Sequence, residues 1–200
     1  MSAAALLLGF VALQRLGELG WATRNTRALR RCGAEEHGRA HYPAIIALHV
    51  GWLAALFLGA APETAIRWPP LAAFLALQGL RLWAIAALGP YWTTRVITLP
   101  QAPLVRRGPY RYLRHPNYLV VALEVPLLSL ALGAWRTALL FTPLNLLALA
   151  WRIRVEERAL AGRRTIPFAA DPLMQQHGAS FATPPAAAPQ DEEHGAWQPR

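Results

Sequence analysis

Five stretches of the chain are almost free of charge, at 3–22, 43–61, 69–88, 117–132 and 134–153. Each approaches the roughly 20 helical residues that span a bilayer's hydrocarbon core, although the fourth is short. Their apolar positions run on without strict alternation, the pattern of helices that face lipid. The pattern predicts an all-α integral membrane protein of about five transmembrane helices. Polar segments at 23–42 and 89–116 separate some of these helices, but the last two are joined only by 133–136. Such a short connection forces a tight antiparallel hairpin. Residues 114–118 and 152–158 are therefore expected side by side at one end of it. The first stretch lacks a basic leader and a convincing cleavage site, so it reads as a retained helix.

Arginine placement predicts orientation. The segment 23–42 holds Arg24, Arg27, Arg30, Arg31 and Arg39, and 89–116 holds Arg95, Arg106, Arg107, Arg111 and Arg114, whereas the short connections carry only Arg67 and Arg136. The positive-inside rule then puts both long loops and the C-terminus in the cytoplasm and the N-terminus outside, in a bacterial inner membrane. Residues 1–161 form the membrane domain. The tail at 162–200 is rich in proline and alanine and is expected to be largely disordered.

Composition changes the picture in two places. All 20 basic residues are arginine, and the net charge is +9. In a soluble protein that would suggest nucleic acid; here the arginines border apolar segments, which favours anionic headgroups of the lipid bilayer instead. Cys32 is the single cysteine, so no intramolecular disulfide and no cysteine-rich metal site can form. His37, His41 and His49 are the nearest thing to a metal set, with His37 and His41 on one helical face; without further ligands no metal is expected.

Chemistry is concentrated in RGPYRYLRHPNYL, 107–119, at the boundary between a polar loop and the fourth helix. Proline fixes φ and turns the preceding residue away from helix, so Gly108-Pro109 reads as a turn and His115-Pro116 as a helix start. Arg114 and His115 then sit at a helix N-terminus, which favours an anionic ligand group. The second polar run, RIRVEER at 152–158, continues the fifth helix. Arg154, Glu157 and Arg158 share one face of it and Arg152 lies near Glu156. Set against His115, these residues form a mixed-charge patch suited to a zwitterion, arginine for a carboxylate and glutamate for an amino group or ribose hydroxyls. A solvated helix end with internal salt bridges is the plainer alternative.

Within the apolar helices, Gln14, Arg15, Glu18, Gln78, Arg81 and Glu124 are the costly residues. Pairing of Glu124 with Arg81 and of Arg15 with Glu18 is the expected resolution. Asn145 and Pro143 read as packing and kink residues of the fifth helix.

The runs GPYRYLRHPNYL at 108–119 and RIRVEERAL at 152–160, separated by a hydrophobic hairpin, resemble the isoprenylcysteine carboxyl methyltransferase family. The segment 13–43 is similar to a bacterial branch of that family whose members methylate long-chain alkylpyrones. The resemblance implies an S-adenosyl-L-methionine pocket built by the C-terminal hairpin and the cytoplasmic loops. Carried over by position, Arg114, His115, Pro116, Asn117 and Tyr118 bind the cofactor. Glu156 and Glu157 reach its ribose or amino group, Arg154 faces the reaction centre or the methionine carboxylate, and Arg154 and Glu157 are the catalytic pair. The family commonly has a tyrosine after the Glu-Glu pair; no tyrosine follows Tyr118 here, leaving Phe168 or Phe181 to cover the cofactor.

The implied reaction is methylation of a carboxylate or enol oxygen on a lipophilic acceptor, isoprenylcysteine-like or alkylpyrone-like. It needs alignment and desolvation more than a strong base. Two other readings stand beside it: an NADPH-dependent membrane reductase resembling the sterol reductases, and a non-enzymatic membrane scaffold. No GxGxxG run is present, so neither cofactor would sit in a dinucleotide-binding domain.

Overall fold

The structure, a computed structural model, describes residues 2–39, 42–59, 64–99 and 105–161. Five helices follow the five apolar stretches: α1 (Ala3–Arg31), α2 (Tyr42–Gly59), α3 (Trp68–Leu88), α4 (Pro116–Ala131) and α5 (Trp135–Leu160). All but α4 are long and apolar enough to cross a membrane, and α4 has 16 residues. The protein is an all-α integral membrane protein. Its outer surface carries large apolar side chains such as Leu6, Phe10 and Leu13 on α1 and Leu139, Leu140 and Leu147 on α5, as lipid-facing helices require. The tail at 162–200, with Phe168 and Phe181, and His41 lie outside the described residues.

α4 is the central post. Val120, Val125, Leu128 and Ala131 are wholly buried, and the helix packs against both α3 and α5. The hairpin turn follows from Gly133, whose φ of +68° suits glycine. There the Ala134 N–H donates to the Ser129 carbonyl and the Gly133 N–H to that of Leu130, closing α4 in a Schellman motif. Asn145 of α5 donates its side-chain amide to the Val121 carbonyl at 2.8 Å, and Trp52 of α2 donates to the Ser129 hydroxyl at 3.0 Å. Small polar contacts thus fix the register of helices that share an apolar surrounding.

The charged intramembrane residues form one neutral cluster. Glu124 of α4 accepts from Arg81 of α3 at 2.5 Å and from Arg15 of α1 at 2.9 Å. Glu18 accepts from Arg15 at 2.7 Å and from Arg81 at 3.0 Å, while Gln78 accepts from Gln14 and Arg15. Both expected pairs are present, and each arginine also bridges to the other glutamate. Two positive and two negative charges cancel, which makes burial in a low-dielectric core tolerable.

One element is absent from the sequence-based reading. Strands β1 (Glu35–His37) and β2 (Val96–Thr98) pair antiparallel, with Glu36 opposite Ile97. His37 is therefore in a strand, where its Nε2 contacts the Thr98 hydroxyl at 2.7 Å, and not on a helical face with His41. His49 sits in α2 with Nδ1 on the Ile45 carbonyl at 2.9 Å. Three-residue strands give too short an alternation to register as a pattern, and their pairing spans about sixty residues of chain, which local propensity does not report.

Candidate functional site

The α4–α5 hairpin brings its two polar ends together around a cavity of about 830 Å³, at the upper end of the range of about 300–1,000 Å³ usual for small-molecule sites. Three segments build the walls: the 105–118 loop and first turn of α4, the last turns of α5, and the 88–99 segment that includes β2.

Arg107 and Gly108 seat the first wall. The Arg107 guanidinium donates to the Ala87 carbonyl at 2.5 Å and to the Ala86 carbonyl at 3.2 Å, occupying carbonyls that α3's last turn leaves free. Gly108 has φ +56°, and a Cβ there would lie 2.9 Å from the Ala87 Cβ and 3.0 Å from Trp83 Nε1. Only glycine lets the loop lie this close to α3. After a 3-10 turn at Gly108–Arg111 the chain reaches His115, and Pro116 opens α4 at its first position, as the His-Pro pair predicts.

Tyr118 joins the two runs. Its hydroxyl donates to Glu156 and accepts from Arg152 Nε at 2.9 Å, and the Arg152 guanidinium lies 5.6 Å from its ring centre. The His115 ring stacks on Tyr118 at 5.3 Å, with Nε2 3.6 Å from a Glu157 oxygen. Tyr110 also lines the cavity; burial, and then the Glu156 carboxylate, push its phenol above the usual range, so it stays neutral. Asn117 Oδ1 is buried without a hydrogen-bond partner among the described residues. An unpaired buried acceptor of this kind is a cost to the fold.

Of the residues singled out from sequence, Arg114, His115, Asn117, Tyr118, Glu156 and Glu157 line this cavity. Pro116 is buried and starts the helix without lining it. Arg154, expected to face a reaction centre, is exposed and is not among the residues that the structure brings together at the cavity wall. At 100° per residue, Arg152, Glu156, Leu160 and Glu157 sweep an arc of about 140°, and Arg154 falls at about 200°, beyond it. Arg152 is the arginine of this run that lines the cavity. Sequence reasoning also passed over Arg95 as a site residue; only its place in the arginine-rich loop marked it.

A model of the isoprenylcysteine carboxyl methyltransferase family matches residues 70–162, the stretch from α3 to the end of α5. The chain is 38% identical over 159 residues to the uncharacterized protein YpbQ of Bacillus subtilis (strain 168), covering 78% of this chain and 95% of that protein. It is 30% identical over 152 residues to an uncharacterized protein of Haemophilus influenzae, covering 74% and 88%. No solved structure matches it.

Proposed function

Because the chain belongs to the isoprenylcysteine carboxyl methyltransferase family, we propose that its cavity binds S-adenosyl-L-methionine and that it methylates an acidic oxygen, carboxylate or enol, on a lipophilic acceptor. The observation that carries this reading is the Tyr118 bridge between Arg152 and Glu156. It sets a fixed cation and a fixed carboxylate within one side chain's reach of each other on the cavity wall.

That donor set fits the cofactor. Arg152 and Arg114 answer a carboxylate, and Glu156 and Glu157 answer an ammonium group or ribose hydroxyls. When bound, the cofactor supplies an electrophilic methyl group on a sulfonium. The protein's part is to hold the two reactants in line and to keep water away. Tyr118, stacked under His115 and tied to α5, fixes the floor of the pocket. Tyr110, held neutral, presents a phenol that neither repels an acidic acceptor nor competes for the methyl group as a phenolate would.

Arginine distribution supports a cytoplasmic position for this end of the bundle, so that the polar cofactor enters from the cytosol and the apolar acceptor from the bilayer. The test is calorimetry on the detergent-solubilised protein, titrated with S-adenosyl-L-homocysteine and separately with NADPH. Binding of the first alone is expected. Binding of NADPH alone would transfer the site to the reductase reading, and binding of neither would leave a scaffold.

A further inference from the structure

The cavity's charges are unevenly shared. Its only carboxylates among the described residues, Glu156 and Glu157, both belong to α5, whereas the wall built by 88–99 carries one charged residue, Arg95. The same wall presents Leu88, Trp92, Val96 and Leu99 between Tyr91, Thr93 and Thr98, with Leu29 of α1 also lining the cavity.

Arg95 is also held in place to a degree unusual for a half-exposed arginine. Its Nη1 donates to Glu36 Oε1 at 2.6 Å, and its guanidinium lies 4.2 Å from the ring centre of Tyr42, whose hydroxyl is 2.9 Å from that of Thr94. Nη2 makes no hydrogen bond among the described residues. Glu36, half-buried with its side chain covered and shared by Arg30, Arg39 and Arg95, sits on β1, and the β1–β2 ribbon carries it to Arg95. Burial would raise the Glu36 carboxyl, but the hydrogen bond and charge of Arg95, with the charge of Arg30, outweigh it and hold the group below its usual range. One carboxylate against three guanidinium groups leaves the node positive.

We infer that Arg95 is the acceptor-recognition residue: it receives the anionic oxygen head of a long-chain amphiphile whose apolar chain lies along Leu88, Trp92 and Leu99, with Glu36 and Tyr42 as its positioning residues. The inference deepens the methyltransferase reading and rests on it for the fate of the bound anion. In the transfer, a lone pair of the acceptor oxygen forms the C–O bond as the C–S bond breaks, and the sulfur keeps that bonding pair as a neutral thioether. Both charges vanish together. Arg95 therefore attracts the substrate and not the neutral product, which favours product release. Since the acceptor's charge fades toward the transition state, Arg95 serves binding and selection more than rate.

The test uses palmitate and methyl palmitate as probes on the full chain in phosphatidylcholine nanodiscs, which hold no anionic lipid. Thermal stability is read with and without S-adenosyl-L-homocysteine. Palmitate is expected to raise the melting temperature of the wild type and methyl palmitate to leave it nearly unchanged. Arg95→Gln should weaken palmitate about tenfold while keeping the homocysteine shift, and Arg95→Lys, which keeps the charge, should retain the preference for acid over ester. The inference is overturned if acid and ester are indistinguishable on the wild type, or if Arg95→Gln keeps the acid preference. Should Arg95→Gln fail to fold, loss of the preference in a folded Arg95→Lys would overturn it and retention would support it. Absence of any homocysteine shift would sink the methyltransferase reading alone, because the acid-versus-ester comparison is also made without cofactor.

Discussion

Among single residues, Tyr118 does most to define the site. Its phenol is donor to Glu156 and acceptor from Arg152 at once, so removing the oxygen leaves a buried-edge carboxylate and a guanidinium without their common partner. Tyr118→Phe is expected to weaken S-adenosyl-L-homocysteine binding about tenfold, equivalent to about 1.4 kcal/mol, with little change in melting temperature. Calorimetry on the variant checks this; unchanged affinity would remove the bridge from the site. The sequence made Tyr118, His115 and the two glutamates legible because the short 133–136 turn leaves no other place for them. It did not reveal which arginine joins them. That choice depends on how far α5 is rotated against α4, and a shift of two residues turns a side chain to the far side of a helix.

At the level of elements, the charged cluster of α1, α3 and α4 carries the arrangement inward from the site. Glu124 is the only cluster residue on α4, and it accepts from both α1 and α3. Glu124→Gln leaves two arginines sharing Glu18 alone, with an excess positive charge buried in the bundle. A loss of about 3 kcal/mol is expected, read as a fall of several degrees in thermal unfolding in detergent. Adding Arg81→Leu restores neutrality, so the double variant should recover part of that loss. If the single variant is as stable as wild type, the cluster is no lock. Here the pairing was legible from cost alone, since Glu124 and Arg81 had to be satisfied somewhere. The bridging by which each arginine serves both glutamates was not, because it depends on three helices meeting at one depth. The β1–β2 ribbon was equally hidden, and with it the reason Arg95 is held at the cavity.

Taken whole, the molecule is polarised. Arg107, Arg111 and Arg114 gather with Arg30, Arg95 and Arg152 at the end that contains the cavity, while Arg67 and Arg136 mark the other. This polarity, written in the spacing of arginines against apolar runs, is why the fold class and the meeting of the two polar runs at one end of the bundle could be read from sequence. The identity of an acceptor could not, since neither the fold nor the spacing of arginines selects one lipophilic molecule over another. The most direct measurement is transfer of tritium from S-adenosyl-L-[methyl-³H]methionine into the organic phase of a lipid extract from cells carrying the gene, with purified wild type and Tyr118→Phe in parallel. The account requires label in the organic phase with wild type and a marked reduction with the variant. Base treatment then separates a methyl ester, which releases labelled methanol, from an enol ether, which does not. Label that stays in the aqueous phase with wild type would contradict the account.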